Sequence, residues 1–225
     1  MKKYQWLFFD ADETLFHFDA FRGLVLMFSR YGVDFTREDF DEYQLTNKPL
    51  WVEYQNGTVT AYELQTRRFA SWAEKLGVTP EQLNSSFLDA MAEICEPLEG
   101  VREQLDAMKG KVRMAIITNG FTALQNIRLE RTGLKDYFDF VVVSEEIGVA
   151  KPDPAVFDYA LEQAGFPSRD SVLMVGDTLG SDVLGGLNSG MDACWFNHAG
   201  NPAEDSIKPT YTIQSFAELG NLICY

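Results

Sequence analysis

Short runs of apolar residues recur along the chain, and each is bounded by polar residues or glycine. Runs of roughly four to eight such residues are typical of buried strands. Helical patterns lie between them: one ends at Gly133, and another begins at Asp153-Pro154 and ends at Gly165. Alternating strands and helices predict a parallel sheet with helices on both faces. The predicted strands are residues 4–9, 112–117, 140–143, 172–175 and 193–196.

Residues 17–96 carry signals for helices only. Thr60 and Thr79 each open a capping box, because a glutamate or glutamine stands three residues later. The sequence therefore predicts a Rossmann-like α/β core made of residues 1–16 and 97–225. We expect an all-helical cap domain of residues 17–96 to be inserted after the first strand.

The composition of the chain limits which classes of partner the protein can bind. Its 225 residues carry a formal net charge of −15, and an acidic surface repels the phosphate backbone of nucleic-acid polymers. An anionic substrate would therefore need positive charge at its own site. No apolar run reaches the roughly 18 residues of a membrane helix, and the first residues lack the pattern of a secretory signal. We expect a cytoplasmic protein that binds neither membranes nor nucleic-acid polymers.

The clearest chemical signal is the pair Asp10 and Asp12, which directly follows the first predicted strand. Two like charges about 4 Å apart near a partly buried site repel by about 4 kcal/mol, so a cation or a proton must compensate them. Such a pair suits phosphoryl transfer, because one carboxylate can attack phosphorus while the other protonates the leaving oxygen. Taken alone, the pair could also be an acidic turn.

Three further segments follow predicted strands, at the sheet edge where open α/β folds bind ligands. Thr118 and Asn119 offer a hydroxyl and an amide to phosphate oxygens. Lys151 stands before a proline, which favours an extended backbone and can present a fixed positive charge. Asp177 and Asp182 add carboxylates, and magnesium prefers such oxygen ligands. Each segment alone could be a turn, a surface lysine or a helix cap.

Taken in order, the four segments resemble the haloacid dehalogenase superfamily of phosphatases. The shared pattern is Asp-x-Asp-x-Thr, a threonine after a strand, a lysine, and Gly-Asp with a second aspartate five residues later. Residues 8–16, 47–51, 116–121 and 128–134 are similar to the bacterial pyrimidine 5′-nucleotidases of this superfamily. The resemblance runs nearly end to end. It implies hydrolysis of pyrimidine nucleoside monophosphates such as dUMP, UMP, dTMP and noncanonical analogues.

The resemblance also implies a role for single residues. Asp10 would attack phosphorus and become aspartyl-phosphate, and Asp12 would protonate the leaving oxygen and later activate water. The implied cofactor is Mg²⁺, with Mn²⁺ or Co²⁺ as alternatives. The remaining implied roles are metal binding by Asp10, the backbone carbonyl of Asp12 and Asp177, support of the metal site by Asp182, and phosphoryl binding by Thr118, Asn119 and Lys151.

Other activities of the same fold stay open at this point. A sugar-phosphate phosphatase, another small-metabolite phosphatase or a phosphosugar mutase would carry the same residues. A haloacid dehalogenase is disfavoured, because a halide leaving group needs no proton from Asp12. A non-catalytic binding module would be expected to have a damaged motif, and none is visible. We expect a monomer or small homo-oligomer that acts on a small phosphate monoester.

Three further sets of residues are predicted to be structural. His17 and His198 have no required part in this chemistry. An apolar stripe from Leu64 to Leu76 has helical spacing. Aromatic residues of the same region are expected mainly to fill the core of the cap, although they could stack on a base. They are Trp51, Tyr54, Tyr62, Phe69 and Trp72.

Overall fold

The computed structural model describes residues 3–223, in which six strands form one sheet with parallel pairing throughout. The strands are β1 (Trp6–Phe9), β2 (Arg113–Thr118), β3 (Phe140–Val143), β4 (Val172–Gly176), β5 (Asp192–Phe196) and β6 (Tyr211–Ile213). Their order across the sheet is β3-β2-β1-β4-β5-β6. The predicted parallel sheet is confirmed, and β6 is an additional short edge strand that the sequence pattern did not indicate.

Eleven α-helices accompany the sheet within residues 3–223. They are α1 (Ala20–Ser29), α2 (Arg37–Gln55), α3 (Ala61–Arg67), α4 (Ala70–Leu76), α5 (Pro80–Glu93), α6 (Val101–Met108), α7 (Thr122–Thr132), α8 (Ser144–Ile147), α9 (Pro154–Gln163), α10 (Leu184–Asn188) and α11 (Leu219–Leu222). None of these helices is both long enough and apolar enough to cross a membrane.

The chain divides into two compact units. The first consists of Met1–His17, Glu96–Gly120 and Thr132–Tyr225 and contains the whole sheet. The second consists of Phe18–Cys95 and Phe121–Arg131 and is built from helices. The helical segment inserted after β1 therefore forms a body with its own internal packing.

Side chains of the central strand alternate between two buried faces of the sheet. On one face, Phe8 packs in a cluster with Val156 and Phe157 of α9. On the other face, the centroid of the Phe9 ring lies 5.9 Å from that of Phe216. The predicted covering of both faces is confirmed, and it explains why β1 reads as a continuous apolar run.

Both predicted capping boxes of the second unit are confirmed. Thr60 accepts a hydrogen bond from the backbone N–H of Glu63, and the Glu63 carboxylate accepts the N–H of Thr60 at 2.8 Å. Thr79 and Gln82 form the same reciprocal pair at the start of α5. These pairs satisfy backbone donors that a helix start would otherwise leave unpaired.

The apolar stripe from Leu64 to Leu76 is divided between two helices. Helix α3 ends at Arg67 and α4 begins at Ala70. The chain bends at Arg68 and Phe69, and the side chains of both are buried. Burial of these two residues outweighs the helical spacing of the stripe, because tertiary packing overrides local preference.

Residues 121–131 join the helical unit, whereas the sequence assigns them to the core. The ring of Phe121 explains this placement. Its centroid lies 5.4 Å from that of Trp51, and the guanidinium carbon of Arg68 lies 5.2 Å from the centroid of Phe121. The helical unit thus includes the residue that directly follows Gly120 in the sequence.

Candidate active site

The strand order brings the carboxyl ends of β2, β1 and β4 side by side. Phe9, at the end of β1, is paired with Ile116 of β2 and with Val175 of β4. Asp10 follows the central strand, and its backbone N–H donates to the carbonyl of Val175 at 2.9 Å. The strand order reverses at β1, and such switch points are where α/β sheets bind ligands.

The chain turns sharply after Asp10. The carbonyl of Ala11 accepts the N–H of Phe16 at 3.0 Å, and Glu13 has a φ of 55°. This left-handed conformation is uncommon for a residue with a side chain, and such positions cluster at functional sites. The turn leaves Asp12 partly exposed, two residues after Asp10.

Lys151 is the buried cation of the site, with 1% of its surface exposed. Its Nζ donates to Oδ1 of Asp10 at 2.5 Å and to the carbonyl of Ile117 at 2.7 Å, and it lies 2.8 Å from Oδ1 of Asp182. Burial alone would lower the pKa of Lys151, but Asp10 and Asp182 raise it above its usual range. The lysine therefore stays protonated and holds two carboxylates in place.

Asn119 holds the backbone of Lys151. Its Nδ2 donates to the carbonyl of Lys151 at 2.9 Å, and its Oδ1 accepts the N–H of Lys151 at 2.8 Å. Thr118 is buried, and its hydroxyl oxygen accepts the N–H of Gly120 at 3.0 Å. That hydroxyl still carries a hydrogen that it can donate. The segment after β2 thus offers one hydroxyl and fixes the lysine.

A π-helix at Leu179–Val183 brings Asp182 back against the end of β4. The N–H of Val183 donates to the carbonyl of Thr178, five residues earlier, at 3.3 Å. Oδ2 of Asp182 accepts the N–H of Thr178 at 3.0 Å. A Cβ at Gly176 would lie 2.4 Å from that same Oδ2, so the position requires glycine. Single π-helical turns are frequent at functional sites.

Asp177 is held through its backbone. Its N–H donates to Oγ1 of Thr14 at 3.0 Å, and its carbonyl accepts the indole N–H of Trp195 at 2.7 Å. Thr14 belongs to the motif recognised in the sequence. Trp195 was missed, because a contact made across neighbouring strands leaves no local sequence pattern.

Three carboxylates converge in the site. Oxygens of Asp10, Asp177 and Asp182 all lie within 4.8 Å of one another. Burial raises the pKa of Asp10 to about 8; Lys151 opposes this rise, and the neighbouring aspartates add to it. Burial and the charge of Asp182 likewise raise the pKa of Asp177 to about 7. One lysine cannot neutralise three carboxylates, whereas a divalent cation with oxygen ligands would, so these residues fit Mg²⁺.

Most residues singled out from the sequence meet in this region. Lys151 contacts Asp10 and Asp182 directly, and Asp177 completes the acidic cluster. Thr118 ends the neighbouring strand β2. The carboxylate of Asp12 does not belong to the cluster of three described above. Asn119 is present, but its side-chain amide binds the backbone of Lys151.

The two histidines lie outside the acidic cluster. His17 and His198 border a cavity of about 310 Å³, together with Phe196 and Phe216. Nε2 of His198 lies 3.4 Å from a carboxylate oxygen of Glu13. Their structural role remains a prediction.

Known proteins are similar to this chain in both sequence and fold. The pyrimidine 5′-nucleotidase YjjG of Escherichia coli (strain K12) is 59% identical over 99% of each chain. The pyrimidine 5′-nucleotidase PynA of Streptococcus pneumoniae is 32% identical over 96% of this chain and 93% of its own length. The structure of the HAD-hydrolase YfnB of Bacillus subtilis, bound to magnesium, superposes over 100% of both chains with a TM-score of 0.86 at 29% identity. Residues 4–190 match the haloacid dehalogenase-like hydrolases, and the chain belongs to that family.

Proposed function

We propose that this hydrolase is a magnesium-dependent phosphatase that converts pyrimidine nucleoside monophosphates into nucleoside and phosphate. The observation that carries the proposal is the Asp10 carboxylate, held by Lys151 at 2.5 Å within a cluster of carboxylates. A carboxylate fixed in this way at the end of the central strand is suited to nucleophilic attack. The 59% identity with a pyrimidine 5′-nucleotidase supports the substrate class.

The first half of the reaction transfers the phosphoryl group to Asp10. A carboxylate oxygen of Asp10 bonds to phosphorus while the bond from phosphorus to the nucleoside 5′-oxygen breaks. Asp12 gives its proton to that oxygen, so the nucleoside leaves as an alcohol. Lys151 places its positive charge beside the phosphoryl oxygens, the hydroxyl of Thr118 donates a hydrogen bond to one of them, and Asn119 supports them by fixing Lys151. Neutralising and positioning these oxygens is the main task in phosphoryl transfer.

The second half hydrolyses the aspartyl-phosphate. Asp12, now ionised, takes a proton from a water molecule while the water oxygen bonds to phosphorus. The bond between phosphorus and Asp10 breaks, and inorganic phosphate leaves. Asp10 is again a carboxylate and Asp12 again carries a proton, so the residues are ready for the next substrate.

We infer that Asp10, the backbone carbonyl of Asp12 and Asp177 hold Mg²⁺, or alternatively Mn²⁺ or Co²⁺. When bound, the ion neutralises the carboxylates and the phosphoryl oxygens. Both carboxylate oxygens of Asp182 are already engaged, one with Lys151 and one with the N–H of Thr178. This favours a supporting role for Asp182 rather than direct binding of the ion.

We further propose that residues 17–96 act as a cap that selects the substrate, while residues 1–16 and 97–225 act as the catalytic core. The proposed cap closely matches the Phe18–Cys95 segment of the helical unit. The expected monomer or small homo-oligomer and the cytoplasmic location remain predictions from the sequence.

Steady-state kinetics with a panel of monophosphates tests the proposal. We expect kcat/KM for dUMP, UMP and dTMP to exceed that for sugar phosphates by at least about tenfold, with release of free phosphate and no turnover after chelation of divalent cations. Equal values for nucleotides and sugar phosphates would remove the nucleotidase assignment. An isomerised sugar phosphate as product would identify a phosphosugar mutase instead.

A further inference from the structure

Arg68 is a cation buried within the helical unit. Only 6% of its surface is exposed, and within residues 3–223 no ion pair joins its guanidinium to a carboxylate. Its polar neighbours are neutral: the amide of Asn84 and the hydroxyl of Tyr43. Burying a charge without a counter-charge is costly, so a residue of this kind requires compensation from another source.

The compensation that the helical unit supplies is incomplete. The guanidinium carbon lies 5.1 Å from the ring centroids of Phe69 and Phe87 and 5.2 Å from that of Phe121. Ring faces attract a cation, but they do not accept hydrogen bonds as a carbonyl oxygen does. One terminal nitrogen donates to Oδ1 of Asn84, whereas Nε has no hydrogen-bond partner in the part of the chain that the structure describes. A buried donor is thus left among aromatic rings.

A second unpaired donor belongs to the same unit. Gln125 is 1% exposed, and its Oε1 accepts a hydrogen bond from Nε of Arg128 at 2.9 Å. Its Nε2 has no hydrogen-bond partner among the described residues. Gln125 lies one helical turn after Phe121, whose carbonyl accepts its N–H at 3.2 Å. The ring of Phe121 therefore contacts the guanidinium of Arg68, and Phe121 directly precedes the helix that contains Gln125.

The surroundings of Phe121 match the chemistry of a pyrimidine base. The ring of Phe121 is 3% exposed, and its centroid lies 5.4 Å from that of Trp51, which is partly exposed and can offer a flat apolar surface. A pyrimidine has two flat faces and carbonyl oxygens on its edge, so it can contact the rings and accept hydrogen bonds from unpaired donors. A sugar offers neither a flat face nor a carbonyl group. In the sequence, Phe121 directly follows the Thr118-Asn119-Gly120 segment assigned to phosphoryl binding.

We propose that Arg68 is a specificity-determining residue, which donates a hydrogen bond to a carbonyl oxygen of the pyrimidine base, with Gln125 as a second donor. The inference rests on the proposed nucleotidase function. Buried donors left unpaired by a substrate without carbonyl groups would discriminate against it.

The test compares Arg68→Met with Arg67→Met. Arg67 is adjacent in the sequence, and its side chain is 52% exposed beside Glu53, so the second variant is a matched control. For Arg68→Met we expect kcat/KM for dUMP to fall by about 10- to 100-fold, while kcat/KM for p-nitrophenyl phosphate, which has no base, changes by less than about twofold. The inhibition constant of deoxyuridine against p-nitrophenyl phosphate should rise by a similar factor. Arg67→Met should leave all three quantities unchanged.

The outcomes separate this inference from the proposed function. An equal loss for both substrates, or unchanged selectivity for dUMP in a folded variant, would overturn the role of Arg68. If the wild-type protein has no preference for dUMP over sugar phosphates, both proposals fail together. Arg68→Lys, which keeps the charge but loses Nε, provides the same comparison should the methionine variant not fold. A selective loss for dUMP in that variant would support the inference, and an equal or absent loss would contradict it.

Discussion

Asp10 has to be ionised to attack phosphorus, although its surroundings favour a proton. Burial raises its pKa to about 8, and Lys151 opposes that rise. Asp10→Asn removes the nucleophile while keeping the size of the side chain and relieving repulsion with the neighbouring aspartates. We expect kcat to fall by at least about 10⁴-fold, while the melting temperature without metal is unchanged or higher. Phosphate release and thermal unfolding measure the two effects, and near-normal turnover would refute the covalent role.

Lys151 makes a separate contribution, because it is the buried partner of Asp10 and Asp182. Removing one member of a buried ionic group leaves uncompensated charge, which typically costs about 3–5 kcal/mol. We expect Lys151→Met to lower the free energy of unfolding in urea by that amount near pH 8 and to abolish turnover. Lys208→Met is the control, since that side chain is 78% exposed. Equal stability of the two variants would show that the buried pairs contribute little.

At the scale of single residues, the sequence predicts which side chains carry the chemistry better than it predicts their contacts. Asp10 and Lys151 could be predicted because four motifs occur in a fixed order along the chain, although each motif alone could be a turn or a surface lysine. The two hydrogen bonds of the Asn119 side chain to the Lys151 backbone could not be predicted, since they join residues 32 positions apart. The hydrogen bond from the indole of Trp195 to the carbonyl of Asp177 could not be predicted either. These contacts depend on the strand order, which the local pattern does not encode.

Some strands and helices could also be predicted from the sequence, whereas others could not. The five longer strands follow from apolar runs, because a strand buried on both faces needs no polar side chains. The edge strand β6 has three residues, one of them exposed, and gives no such signal. The break between α3 and α4 is set by burial of Arg68 and Phe69 rather than by proline or glycine. The edge strand and the break between the two helices therefore depend on packing between residues that are distant in the sequence.

The π-helix after β4 is the element that most directly shapes the active site. It depends on Gly176, because a Cβ there would meet Oδ2 of Asp182 at 2.4 Å. Gly176→Ala should displace Asp182 from Lys151, lowering stability by about 1–3 kcal/mol and kcat by about tenfold or more. The matched control is Gly180→Ala in the same π-helix, where an added Cβ meets no atom of residues 3–223 within 4 Å. Similar losses in both variants would attribute the effect to the helix backbone rather than to Asp182.

The whole molecule carries a formal net charge of −15, and its acidic site adds to the repulsion that a folded state must overcome. The pKa of Asp10 is about 8 and that of Asp177 about 7, well above their ordinary values. Between about pH 4 and pH 8 the folded protein therefore binds more protons than the unfolded chain. Stability of the metal-free protein should fall as the pH rises through this range, by about 1 kcal/mol per pH unit for each proton involved.

Magnesium should reverse this trend, because it binds the ionised carboxylates and not the protonated ones. We expect saturating Mg²⁺ to raise the melting temperature more near pH 8 than near pH 6, where protons compete for the same oxygens. At a concentration about 100-fold above Kd, bound Mg²⁺ contributes about 2.7 kcal/mol of stability. Asp10→Asn should reduce this difference between the two pH values, since the variant lacks one of the two titrating carboxylates and keeps Asp177. An equal rise in melting temperature at both pH values would mean that the ion binds away from Asp10. An undiminished difference between the two pH values in Asp10→Asn would mean the same. In either case the acidic cluster would need another explanation.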